Sequence, residues 1–139
     1  MTFKKNFMKK MTGIICGLAL STVLILSVPV NAASSVTSNY KIDFAYASGW
    51  CGYSSSTASA YTAHLLHTTK KVTLTAYASY SGHYCLYGST TSTADDLNPV
   101  SANISFASGF IGIGAKATHK VTGTTGSTWT GNTNSGYYE

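Results

Sequence analysis

The residues able to do chemistry in this chain are few, and their spacing limits what that chemistry can be. Cys51 and Cys85 are the two cysteines outside the N-terminal apolar run. In an oxidising compartment such an isolated pair predicts one structural disulfide. Closing a loop of about 35 residues would contribute roughly 3.8 kcal/mol in the chain-entropy description. No C-x-x-C motif accompanies the pair, so a redox role is not expected.

His64, His67, His83 and His119 are the side chains that titrate near neutrality. His64-x-x-His67 puts its two rings on opposite faces of a strand, and no carboxylate lies nearby in sequence. The histidines therefore read as structural, with no metal site expected. The acids are too few and too poorly spaced for a carboxylate pair, and G-x-S-x-G, S-x-x-K and a phosphate-binding glycine loop are missing. The expectation is a protein without catalysis or cofactor.

Aromatic side chains are the remaining candidates. Trp50, Tyr53, Tyr61, Trp129, Tyr137 and Tyr138 fall near turns or strand ends, as do Tyr84 and Tyr87. Rings so placed suit a binding platform for a carbohydrate, and they equally suit the core and rim of a sandwich. Sequence leaves both readings open.

The elements that must position these residues are strands. From Lys71 to Ser81, Val72, Leu74, Ala76, Ala78 and Tyr80 alternate with Thr73, Thr75, Tyr77 and Ser79. Period-two alternation marks a strand with one buried face. Similar patterns run over Tyr40–Tyr46, Val100–Phe106 and Ile113–Val121, and weaker ones over Thr57–Leu66, His83–Ser89 and Ser127–Thr133. The inward positions predict a core of Ile42, Phe44, Val72, Leu74, Ile104, Phe106 and Ile113. Asp95–Pro99 and Gly123–Gly126 carry turn chemistry. The fold class predicted is all-β, a small β-sandwich of short antiparallel strands.

KIDFAYASGW (Lys41–Trp50) resembles NISFASGF (Asn103–Phe110), and AYTAH (Ala60–His64) resembles AKATH (Ala115–His119). Read as a duplication, these predict two three-stranded units packed face to face and joined by His83–Asn98. Coincidence in a chain rich in Ser, Thr and Ala is the other reading.

The first 32 residues stand apart. Lys4, Lys5, Lys9 and Lys10 precede the apolar run Met11–Val28, and Val30-Asn31-Ala32 offers a cleavage site. Residues 1–32 read as a signal peptide and 33–139 as one secreted, extracellular domain. That domain keeps five lysines against four acids and contains no arginine. Nucleic-acid binding, which needs clustered cations, is not expected. Bulk attraction to anionic membranes is not expected either.

Trp50-x-Gly52-Tyr53, Ser59-Ala60-Tyr61, the histidines at 64 and 67, the Thr-rich strand after Lys71 and an ending with Trp129, Thr133 and Tyr137-Tyr138 resemble the lactococcin 972-like secreted bacteriocins. The resemblance covers about half of the secreted region, which is longer here and carries two cysteines. It implies a small exported β-sandwich that antagonises related bacteria at the cell envelope. The implied partner is a lipid-linked cell-wall precursor or a surface polysaccharide. The contrasting expectation is a cell-surface or carbohydrate-binding module that adheres without killing.

Overall fold

Alternation builds most of the architecture, which the computed structural model describes for residues 32–136. Eight strands follow one another: β1 (Ala32–Ile42), β2 (Ala45–Tyr53), β3 (Thr57–Ala63), β4 (Thr68–Tyr80), β5 (His83–Asp96), β6 (Val100–Ser105), β7 (Phe110–Thr122) and β8 (Thr128–Gly136). No helix occurs among the described residues. The strands form two four-stranded antiparallel sheets, ordered β1-β2-β3-β6 and β5-β4-β7-β8. The sheets pack against each other as a small β-sandwich, the class predicted from sequence.

β4 sits inside the second sheet, paired with β5 on one side and β7 on the other. Its Val72, Leu74, Ala76 and Ala78 are fully buried, while Thr73, Thr75, Tyr77 and Ser79 lie half-exposed on the opposite face. β7 repeats the arrangement with Ala115, Ala117, His119 and Val121 inward. From the first sheet, Cys51, Ala58, Ala60, Val100 and Ala102 meet them, with Ile104 and Phe106 packed at the margin. A second cluster gathers Ile42, Ala47, Val121 and Trp129. Much of the interface is alanine, so the two sheets approach closely.

Several expectations are corrected. The sheets do not divide the chain into two three-stranded halves. β6 joins β1–β3 in the first sheet, and β4 joins the second, so each sheet draws on both halves of the sequence. Several strands are also long, with β4 and β7 spanning 13 residues each and β5 spanning 14. The expected connection His83–Asn98 is mostly β5 itself.

The predicted strand Tyr40–Tyr46 is interrupted by a hairpin turn. Asp43 and Phe44 adopt positive φ angles of 44° and 75°, as a two-residue turn of the primed type requires. The turn reverses the chain so that Ile42 pairs with Ala45. Phe44 is consequently thrown outward and is 90% exposed rather than buried.

The Cys51–Cys85 disulfide does not form. Both thiols are free, Cys51 buried and Cys85 exposed. Cys51 points from β2 into the core, its Sγ 3.7 Å from the Ala115 carbonyl oxygen on β7. Cys85 lies on β5, two strands from β7, a lateral offset of roughly 10 Å at the usual strand spacing. The predicted signal peptide lies outside the described residues except for Ala32, the first residue of β1.

Truncating Leu74, fully buried between the sheets, should cost roughly 2–5 kcal/mol in the Leu74→Ala variant. Urea unfolding followed by tryptophan fluorescence measures it, and an unchanged midpoint would contradict the register. Thiol titration of unreduced Ala33–Glu139 should find one fast-reacting group, Cys85, with Cys51 reacting only after unfolding. Two unreactive cysteines before and after denaturation would restore the disulfide.

Candidate functional site

The four aromatic candidates among the described residues do not gather at one place. Trp129 is 5% exposed and belongs to the core beside Ile42 and Val121. Tyr53 turns inward at the other end, its ring occupying the space a Cβ on Gly136 would need. Tyr61 is buried on the far side of β3, where Trp50 stacks on it at 5.8 Å with the rings 10° from parallel. Tyr137 and Tyr138 lie outside the described residues. Sequence reasoning missed a different ring cluster, in which Tyr87 makes edge contacts with Phe106 at 4.9 Å and Phe110 at 5.1 Å. No period-two pattern joins rings contributed by β5, β7 and the loop after β6.

Two histidines are buried and two are exposed. Nδ1 of His64 accepts the Leu66 N–H at 3.3 Å, which leaves Nε2–H to donate to the carbonyls of Ile42 (2.8 Å) and Ala45 (3.2 Å). His64 thereby fastens the β1–β2 turn to the β3–β4 loop. His119 projects from β7 between the sheets. Thr62 Oγ1 donates its hydrogen to the Lys71 carbonyl, so it accepts the His119 Nδ1–H at 2.9 Å. Nε2 then accepts the Thr133 hydroxyl at 2.7 Å. Every polar position of this neutral ring is satisfied.

Cys51 lies beside Thr133, so a thiol and an imidazole flank the same hydroxyl. Both are fully buried. Burial pushes the Cys51 thiol up and holds His119 down at about 4, which keeps both groups uncharged at neutral pH. The arrangement is a core network. Among the described residues no group of three or more His, Cys, Asp or Glu is placed to hold a metal ion.

The surface best equipped for recognition is the outer face of the β5-β4-β7-β8 sheet. Direct cross-strand partners share a face, so the pairing registers generate rows of neighbouring side chains. One row runs Thr91–Thr73–Thr118–Asn132. Beside it runs Ser89–Thr75–Lys116–Asn134. A third contains Thr93, Lys71, Lys120 and Thr130. Strand propensity explains the composition, since threonine favours a pleated surface and carries a hydroxyl.

These side chains are oriented by one another. The Thr73 and Thr91 hydroxyls are 2.9 Å apart, and Thr118 Oγ1 donates to Asn132 Oδ1 at 2.9 Å. A shallow cavity of about 360 Å³ opens between the first two rows, lined mainly by Thr73, Thr75, Lys116 and Asn132. Lys116 Nζ lies 5.4 Å from the centroid of the Tyr77 ring, which borders the polar field. Hydroxyls, carboxamides and ammonium groups on one plane can bind other hydroxyls and anions through many parallel hydrogen bonds. The outward residues of β4 and β7 were visible in the alternation of their own strands. Which strands stand side by side was not.

No family model, curated protein or solved structure matches the chain.

Stability should fall as the pH drops from about 6.5 to about 4, the interval between the ordinary histidine value and that of buried His119. Over that range the unfolded state binds the proton and the folded state does not, so protons favour unfolding. The loss attributable to this ring is at most about 3 kcal/mol. Urea midpoints measured across the interval should show it, with a flatter profile for His119→Gln.

Proposed function

We propose that the protein is exported and acts without catalysis, as a bacteriocin-like antagonist that binds a component of the envelope of related Gram-positive bacteria. One observation carries this reading: the exposed face of threonine, serine, asparagine and lysine rows on the β5-β4-β7-β8 sheet. Such a face matches the chemistry of a surface polysaccharide or the sugar and phosphate portion of a lipid-linked wall precursor. The N-terminal order of basic, apolar and small residues supports export. The secreted region's five lysines against four acids favour a specific receptor over bulk attraction to membranes.

Purified Ala33–Glu139 should cosediment with isolated Gram-positive walls and inhibit growth in a panel of related strains. Adding Thr73→Val and Thr118→Val keeps strand propensity while removing two hydroxyls from the face, and should weaken both effects. Failure to bind walls and to inhibit any strain would defeat the proposal. Wall binding without inhibition would establish the adhesive module instead.

A further inference from the structure

Resting on that envelope-binding reading, we propose that the same face selects a phosphate-bearing polymer, a chain of polyols or sugars joined by phosphodiesters, over a neutral glycan. The argument begins with a placement that folding alone does not favour. Lys71 of β4 and Lys120 of β7 are direct cross-strand partners. Their Cβ atoms are held about 5 Å apart, where like charges destabilise a sheet. Both side chains are exposed. Among the described residues the one ion pair is Lys70 with Asp96, so neither Lys71 nor Lys120 has a carboxylate partner.

A third lysine extends the charge along the sheet. Lys116 projects from the same face of β7, four residues from Lys120 and about 13 Å away along the strand. Asp95, paired with Thr69 at the β5 margin, is the one carboxylate on this face among the described residues. Three ammonium groups against one carboxylate give the face a local excess greater than that of the whole secreted region. An anion seated between Lys71 and Lys120 relieves their repulsion and finds hydroxyl donors on Thr93 and Thr130 in the same row. A polymer can occupy that position and the cavity beside Lys116 together. Charge complementarity favours repeated phosphates, because each ammonium acts as a point charge and needs no planar, two-pronged partner.

The test compares native walls with walls stripped of phosphodiester polymers by hydrofluoric acid, using cosedimentation of Ala33–Glu139 and soluble polyglycerol phosphate as competitor. Native walls should retain the protein, stripped walls should lose most of it, and the competitor should release it. A Lys71→Gln/Lys120→Gln variant should bind native walls roughly tenfold more weakly, the scale of losing two exposed charge contacts. Lys41→Gln, a change on β1, should leave binding unchanged. The double variant should melt no lower than the parent, since a repulsive pair has been removed.

Equal retention on stripped walls would overturn the phosphate inference and leave the envelope reading standing on neutral glycan. Capture by vesicles holding a lipid-linked pyrophosphate sugar, with no response to polyglycerol phosphate, would overturn the polymer as occupant. Absence of binding to either wall preparation would remove the broader reading as well.

Discussion

The hydrogen-bonded imidazole of His119 is the constraint around which the two sheets close. Its ring bridges Thr62 of one sheet and Thr133 of the other, both buried, and it lies directly over Gly49. A Cβ at Gly49 would stand 2.3 Å from the ring's Cγ, so any side chain there would force the sheets apart. The surrounding alanines permit an inter-sheet approach that leaves no room for a larger aliphatic layer. A polar ring buried this deeply is tolerable because each nitrogen has a partner of the correct sense. Protonation would turn Nε2 from acceptor to donor and oblige the Thr133 hydroxyl to switch from donating to accepting.

The same economy of partners fixes the end of the sandwich near β1 and β2. Asp43 sits in the left-handed turn and reaches across to the other sheet's β7–β8 loop. Its carboxylate accepts the Thr124 N–H together with the Thr124 and Thr125 hydroxyls, the latter two at 2.8 Å each. The Thr124 and Thr125 hydrogen bonds lower its pKa. His64 holds the turn from its opposite side. Lys70 is buried on β4 and donates to the Thr68 and Asp96 carbonyls, with the Asp96 carboxylate 4.0 Å away. Burial pulls the Lys70 pKa down while Asp96 and then Asp95 oppose it. These polar ties join the strands where the apolar core thins out.

How much of this was legible depended on whether two faces of a strand differ in polarity. β4 and β7 bury one face and expose the other, so Val72, Leu74 and Ala117 announced themselves. β5 did not, because Gly-Ser-Thr-Thr-Ser-Thr puts small polar residues on both faces of an edge strand. The Asp43–Phe44 turn was concealed for a related reason. Phenylalanine is not a turn residue, and the alternation of Ile42 with Phe44 runs unbroken through the reversal. Cys51 and Cys85 seemed paired because only sheet order reveals the strands between them. The hydroxyl face escaped notice as a unit, since residues up to 59 positions apart in the chain form its rows.

Rigidity suits that face to the recognition role proposed for it. Threonine is stiff at χ1, and the Thr73–Thr91 and Thr118–Asn132 hydrogen bonds restrict its hydroxyls further. A ligand meeting these groups orders little that is not already ordered, which lowers the entropic cost of each contact. The lysines behave differently: their long side chains lose freedom on binding and contribute attraction more than geometry. Exposed contacts of either kind are individually weak. A repeating ligand turns that weakness to advantage, because release of one unit leaves its neighbours at high local concentration over the same surface. A flat sheet of modest contacts is therefore better matched to a polymer than to a single small molecule, for which an enclosed pocket would be the more effective design.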